Sequence, residues 1–268
     1  MHAFPQFHQR EGLATKKGLI GLEIGAPLVV NWNRENFLDM KTNPSPRREI
    51  PEASLRRLPT YYRSLQGMAA AGVSQVSCAD LARVLGLDPT QVRKDIETTG
   101  IVGKPRVGYA LDELVRWIEN FLGWNRPKDA VLAGAGSLGS ALLGYERFRR
   151  HGMQIVAAFD TDPEKIGQRI HSREVQPLMF LPDFVRQHKT PVGVIATPAA
   201  AAQSVADLMI SGGIRAIWNF APAHIHVPDG FILQNEDLYH SLASLSFKLE
   251  SKLRVTPVED GISYAEEN

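Results

Sequence analysis

Cysteine is almost absent: Cys78 stands alone in 268 residues. That excludes an intramolecular disulfide and any cysteine-based zinc cluster, and it is consistent with a reducing compartment. Long apolar runs are missing too. No stretch reaches the roughly 18 uncharged apolar residues of a membrane helix. The nearest, residues 18–30 behind Lys16 and Lys17, is interrupted by Glu23, and no small-x-small cleavage site follows it. The expectation is a cytoplasmic protein with no membrane partner. Excess charge is lacking as well, with 30 Lys and Arg against 29 Asp and Glu.

The near-neutral balance conceals an asymmetry. Residues 47–106 hold ten basic and six acidic side chains, whereas residues 107–268 hold fifteen against nineteen. A basic segment followed by an acidic one implies two jobs, and the length itself favours two domains. Residues 1–46 mix Gly, Pro and Asn with scattered apolar residues and end in a Pro-Ser-Pro linker. They read as a tail, a mobile arm, or sequence upstream of a start at Met40.

From residue 50 the pattern sharpens. Residues 54–67 predict a helix with an early proline. Ser77, with Asp80 at capping-box spacing, opens a second helix that Gly86 ends. Asp88 and Pro89 open a third, through Ile96. Two short helices around a tight glycine-containing turn are a helix-turn-helix. Residues 100–109, with three glycines and a proline among β-formers, predict a hairpin wing. Asp112 is expected to cap a further helix over 114–122. The third helix carries Gln91, Arg93, Lys94 and Glu97; Arg reads guanine edges and Gln adenine edges in the major groove. Lys104 and Arg106 on the wing are placed to reach phosphate. The competing reading is a small helical domain with solvated charges.

Residues 123–129 read as a hinge. Beyond it, apolar strands at 130–133, 155–160, 191–197 and 214–219 alternate with helices, the pattern of a parallel sheet covered on both faces. The first strand runs into Gly134-Ala-Gly136-Ser-Leu-Gly139, and a helix follows. That context gives the motif its meaning: a tight turn, a close backbone approach to a pyrophosphate, and close helix–strand packing. Asp160 ends the next strand 24 residues after Gly136, near the usual ~20 for a carboxylate that accepts from a ribose 2′-hydroxyl. It favours NAD(H) over NADP(H). The alternative is a glycine turn without a ligand. Asp162, Glu164 and Lys165 read as a loop and helix start.

No catalytic residue is predicted. His171, His188, His224, His226 and His240 show no spacing that pairs them with a carboxylate or a metal partner. There is no nucleophile elbow and no metal constellation. A helix over 237–253 carries an apolar stripe through Leu238, Leu242, Leu245 and Leu249, which needs a partner surface.

Taken together, Ile50-Pro-Glu-Ala-Ser-Leu-Arg-Arg-Leu-Pro-Thr-Tyr-Tyr-Arg63, Gln91-Val-Arg-Lys-Asp95 and residues 103–109 resemble the winged-helix half of the redox-sensing transcriptional repressor Rex family. Residues 134–139, Phe159-Asp160, Lys165-Ile-Gly167, Ala196-Thr-Pro-Ala-Ala200, Asn219-Phe-Ala-Pro222 and Val227-Pro228 resemble its Rossmann half, in the same order. The resemblance covers residues 50–253. It implies a winged-helix domain at 47–123, a Rossmann NAD(H)-binding domain at 126–235, a swapped dimerisation helix at 236–254 and a tail at 255–268. The function it implies is a homodimeric repressor that NADH releases from operator DNA and that NAD⁺ permits to bind. The implied cofactor contacts are Gly134, Ala135, Gly136, Ser137, Leu138, Gly139, Asp160, Thr197, Pro198, Asn219, Phe220 and Tyr145. The implied DNA contacts are Tyr61, Gln91, Arg93, Lys94, Lys104 and Arg106. Arg63, Tyr145 and Asp237 match a family switch cluster. One departure is visible: the family continues the recognition helix with an aromatic run, and this chain has Ile96-Glu-Thr-Thr-Gly100. An NAD-dependent oxidoreductase with a helical accessory domain and a CoA- or nucleotide-binding module are the alternatives.

Overall fold

The computed structural model describes residues 50–255. The expectations for residues 1–46 and for the tail after residue 255 lie outside the described residues.

The first domain is built from α1 (Glu52–Ala70), β1 (Gln75–Val76), α2 (Cys78–Leu85), α3 (Pro89–Thr98), β2 (Tyr109–Ala110) and α4 (Leu111–Leu122). Helix α1 is longer than expected at both ends, with Pro59 inside it. Leu58, Tyr61, Tyr62 and Leu65 form its buried stripe at the spacing of one helical face. The start of α2 is as expected: Ser77 Oγ accepts the Asp80 N–H at 3.1 Å, Asp80 Oδ2 accepts the Ser77 N–H at 3.2 Å, and Gly86 closes the helix at φ +65°. Asp88 Oδ1 accepts from the N–H groups of Thr90 and Gln91 at 2.8 and 3.1 Å, with Pro89 first in α3.

Two expectations need correction here. The hairpin over 100–109 shrinks to a single bridge between Lys104 and Gly108; β2 pairs instead with β1 across the domain. Asp112 does not cap α4. The N-cap is Ala110, without a side-chain bond, and Asp112 and Glu113 sit in the first turn. Acids there favour the positive end of the helix dipole, which gives a cap and a first-turn position the same signature.

The second domain is a seven-stranded sheet of order β5-β6-β4-β3-β7-β8-β9. Its strands are β3 (Lys128–Ala133), β4 (Met153–Asp160), β5 (Arg169–Ile170), β6 (Arg173–Pro177), β7 (Val192–Ile195), β8 (Ala216–Asn219) and β9 (Ile232–Asn235). All pairs are parallel except β5 with β6. Helices α5 (Ser137–Leu143) and α6 (Arg147–Arg150) follow β3; α7 (Leu181–His188) and α8 (Ala199–Gly212) flank β7. Side chains alternate across β3: Val131 and Ala133 join the core with Phe159, Val205 and Met209, while Ala130 and Leu132 join Ile155, Ala158 and Val194 on the other face. Residues 162–166 form a turn rather than the expected helix start: the Lys165 N–H bonds back to the Asp162 carbonyl, and Gly167, at φ +83°, then joins Val175. Last comes α9 (Leu238–Val255), about 27 Å long at 1.5 Å per residue. Leu242, Leu245, Phe247, Leu249 and Leu253 on it are all more than half exposed.

Candidate functional site

The chain leaves β3 and moves to β4 on one side, then returns to β7 on the other. The crevice beyond the C-terminal ends of β3 and β7 is the ligand-binding point of such sheets. The glycine turn forms one wall and Ala196 to Pro198 the other. Gly134 has φ +96°, and a Cβ there would fall 2.5 Å from the Ala196 carbonyl oxygen. A Cβ on Gly139 would overlap the Gly134 carbonyl oxygen. The chain's own packing demands both glycines. Gly136 differs: a Cβ would meet nothing within 4 Å, and its φ of −76° suits any residue. The protein does not need glycine there, so the bare backbone faces open space that a ligand can fill. Helix α5 begins at that point with no side-chain cap, leaving its first N–H groups and partial positive charge for phosphate. Across the crevice Thr197 Oγ1 is buried without a hydrogen-bond partner among the described residues, an unusual state for a hydroxyl. These features fit a dinucleotide.

Asp160 lies at the end of β4 as expected, but its carboxylate already serves the chain. Oδ2 accepts the Ala135 N–H at 2.7 Å, Oδ1 accepts the Asp162 N–H at 2.9 Å, and Lys165 Nζ lies 3.4 Å from Oδ2. Burial acts to raise this carboxyl's pKa; the two N–H groups and the ammonium outweigh it and hold it below the ordinary value. Asp160 therefore also shapes the glycine turn.

Asn219 is corrected as a cofactor contact. Its side chain is 1% exposed. Nδ2 donates to the Ala223 carbonyl at 3.0 Å and Asn235 Oδ1 at 2.9 Å, and Oδ1 accepts the Ala221 N–H at 3.0 Å. It folds the loop that carries Phe220. Phe220 is half-buried against Trp218, with ring centroids 4.7 Å apart. From there Trp218 touches Phe148 at 5.2 Å and Phe148 touches Tyr145 at 4.8 Å. Trp218 Nε1 also donates to Glu236 Oε1 at 2.9 Å, beside Asp237. This aromatic chain links the expected cofactor end to two of the three expected switch residues, and the sequence reading missed it.

Within the chain, no hydrogen bond or ion pair among the described residues joins Arg63, Tyr145 and Asp237 to one another. Arg63 and Tyr145 are exposed. Asp237 Oδ1 accepts the Tyr239 N–H at 2.8 Å, and Oδ2 lies 2.9 Å from His240 Nδ1. That contact corrects the expectation that no histidine pairs with a carboxylate. The pair is exposed and local to α9. His188 stacks on Phe184 at 4.0 Å, and His224 and His226 are exposed. Among the described residues no group of three metal-ligating side chains occurs, and no helix is long and apolar enough to cross a membrane. Burial pushes the Cys78 thiol's pKa up, so this residue packs rather than reacts.

On the helical domain Gln91, Arg93, Lys94 and Glu97 are exposed on α3, and Lys104 and Arg106 on the wing. Arg106, at φ +64°, occupies the tight loop closed by the Lys104–Gly108 bridge. Tyr61 is corrected: it is 0% exposed, because its helix phase places it with Leu58 and Leu65 in the core. Its hydroxyl donates to Asp95 Oδ2 at 2.6 Å. Asp95 also accepts from Arg57 Nε at 2.6 Å and Nη2 at 2.8 Å, and from Gln91 Nε2 at 3.0 Å. This knot ties α3 to α1. Arg57 and Asp95 stand 38 positions apart in the chain; only the fold brings them together. The residues that depart from the family pattern finish α3: Ile96 is core, Thr98 Oγ1 bonds the Lys94 carbonyl, and Trp117 Nε1 bonds the Thr99 carbonyl.

A winged helix-turn-helix joined to a dinucleotide-type Rossmann domain defines a class: a DNA-binding regulator with a ligand-sensing domain. Comparison with known proteins narrows it. Residues 49–96 match the family model described as putative DNA-binding protein N-terminus, and residues 125–223 match the one described as CoA binding domain. The chain is 43% identical over 207 residues to the redox-sensing transcriptional repressor Rex of Treponema denticola, spanning 77% of this chain and 99% of that one. It is similar to the crystal structure of RSP in complex with β-NAD⁺ and operator DNA, with TM-score 0.73, 32% identity, and coverage of 77% and 95%. The RSP complex with β-NADH matches with TM-score 0.70, 32% identity, and coverage of 77% and 97%. The chain belongs to the redox-sensing transcriptional repressor Rex family.

Proposed function

We propose that this protein is a cytoplasmic repressor that binds operator DNA as a homodimer and releases it when NADH replaces NAD⁺. The observation that carries the reading is the contrast among three glycines: packing requires Gly134 and Gly139, while Gly136 faces open space at an uncapped helix start. Residues 47–123 act as the DNA-binding domain, 126–235 as the NAD(H) domain and 236–254 as the dimerisation helix. In this reading the turn from Gly134 to Gly139 holds the pyrophosphate, and Asp160 the ribose. Leu138, Thr197, Pro198, Phe220 and Tyr145 surround the nicotinamide end.

When bound, the cofactor supplies a signal rather than a reaction: its nicotinamide ring is charged and planar when oxidised, neutral and puckered when reduced. The chain's residues must turn that difference into a preference between two conformations, because a ligand shifts an equilibrium only by its differential affinity. Phe220, Trp218, Phe148 and Tyr145 form a continuous path from the ring's expected position to α6. Edge-to-face contacts continue the route into the helical domain: His151, just after α6, lies 4.4 Å from Trp124, which lies 5.1 Å from Tyr62 of α1. The exposed apolar stripe on α9 is accounted for by a second copy of the chain, which brings its Asp237 toward Arg63 and Tyr145. A closure of the dimer would alter the spacing of two recognition helices that must lie about 34–36 Å apart on DNA.

Arg63→Ala and Asp237→Ala test the switch. Each is expected to leave NADH binding intact and to make DNA affinity the same with NAD⁺ and NADH. Full discrimination in both variants would refute the cluster. The second reading, a CoA-binding module without DNA, is favoured by the description of the model matched at 125–223. It predicts CoA binding in calorimetry and no salt-sensitive binding to duplex DNA.

A further inference from the structure

We propose a second ligand site, for a small organic anion, at the opposite end of the sheet from the glycine turn. A cavity of about 350 Å³ lies between the α5–α6 connection, the first residues of β4 and the turn joining β5 to β6. That volume falls in the lower part of the range for small-molecule sites, ~300–1,000 Å³. Leu142, Phe148 and Met153 provide apolar lining; Arg149, His171 and Arg173 provide the basic groups. Glu146 also lines the cavity, but among the described residues it makes no ion pair with either arginine. Arg173 Nε donates to the Ile155 carbonyl at 3.3 Å, which fixes that side chain over β4 while its terminal nitrogens carry no partner among the described residues. Two arginines with no ion-pair partner among the described residues, beside apolar side chains, select a phosphate or carboxylate head on an apolar body.

The turn sets the third basic group. His171 and Ser172 are its two central residues, at φ +45° and +68°, the backbone a two-residue hairpin demands at both positions. The imidazole of His171 presses on Gly144, where a Cβ would fall 2.5 Å from Nε2. Turn geometry on one side and a glycine on the other thus hold a histidine at the cavity's edge. Tyr145, which the proposed function gives a part in the switch, also lines this cavity, so the test is placed on Arg149 and Arg173, which that reading does not use.

Calorimetry on the full chain tests the proposal, with phenyl phosphate and benzoate as probes and benzyl alcohol as the neutral control. One of the two anions is expected to bind at least about tenfold more tightly than the alcohol, and which one does so assigns the headgroup. Arg149→Gln and Arg173→Gln are each expected to weaken it by about tenfold, the effect of removing one charged hydrogen bond. NADH binding by the same variants is expected to be unchanged, which separates a failure here from a failure of the cofactor reading. The proposal is overturned if neither anion binds at millimolar concentration, if the alcohol binds equally well, or if binding survives both substitutions.

Discussion

Replacing Asp95 probes the knot that orients the recognition helix. The carboxylate is 1% exposed and accepts four hydrogen bonds, two from Arg57 and one each from Tyr61 and Gln91. Burial alone would raise its pKa; the donors Arg57, Tyr61 and Gln91 outweigh it and bring it down to about 2. Against an unfolded value of ~3.9, at ~1.4 kcal/mol per pKa unit, the ionised form contributes on the order of 2–3 kcal/mol of stability. Because the folded value is the lower one, that contribution is complete above pH ~4 and is lost as the pH falls through about 2. Asp95→Asn keeps the shape but removes the charge, so at pH 7 it is expected to cost about 2–3 kcal/mol in urea unfolding of the full chain. The cost stays below the 3–5 kcal/mol of a fully buried pair, because Arg57 keeps 29% of its side chain in solvent. The variant should also lose the acid-dependent part of wild-type stability between pH 4 and 2. Asparagine within about 0.5 kcal/mol of wild type at pH 7, the range of a plain surface change, would refute the assignment.

Gly136→Ala is expected to leave stability within about 1 kcal/mol of wild type while lowering NADH affinity at least about tenfold; equal losses of folding and binding would contradict a ligand-facing role. Gly139→Ala, by contrast, is expected to yield little folded protein, judged by far-UV circular dichroism. Asp160→Asn is expected to narrow the preference for NADH over NADPH in fluorescence titrations, because it removes the carboxylate that would repel a 2′-phosphate and leaves Lys165 opposed by Asp162 alone, at 3.2 Å. An unaltered preference would remove the ribose role and leave Asp160 as the residue that shapes the turn.

Much of this molecule was legible locally. The Ser77–Asp80 box, the Asp88-Pro89 start and the glycine turn each encode their geometry within a few residues, and each formed as expected. Strands β1 and β2, two residues long, exist only because they find each other across more than thirty positions, so no local pattern announces them. Strands β5, β6 and β9 were passed over for another reason: they are two, five and four residues long and carry Arg, Glu, Gln or Asn, so no apolar run marks them. Tyr61 was placed on the DNA as an implication of the family resemblance, although its spacing from Leu58 and Leu65 marks a buried face. Asn219 shows the converse, a polar residue whose bonding partners are distributed over residues 221–235. The Asp95 knot and the aromatic chain from Phe220 to Tyr145 were out of reach because they join residues that only the tertiary structure makes neighbours.

The central claim is that redox state at the Rossmann crevice governs the winged helix. The most direct test is fluorescence anisotropy of a labelled duplex from the protein's own promoter region, first saturated with protein and NAD⁺, then titrated with NADH. The account predicts that NADH releases the duplex and that excess NAD⁺ restores binding. Because coupling between sites is reciprocal, DNA should weaken NADH binding by the same factor. A duplex that binds but remains bound at saturating NADH would contradict the claim.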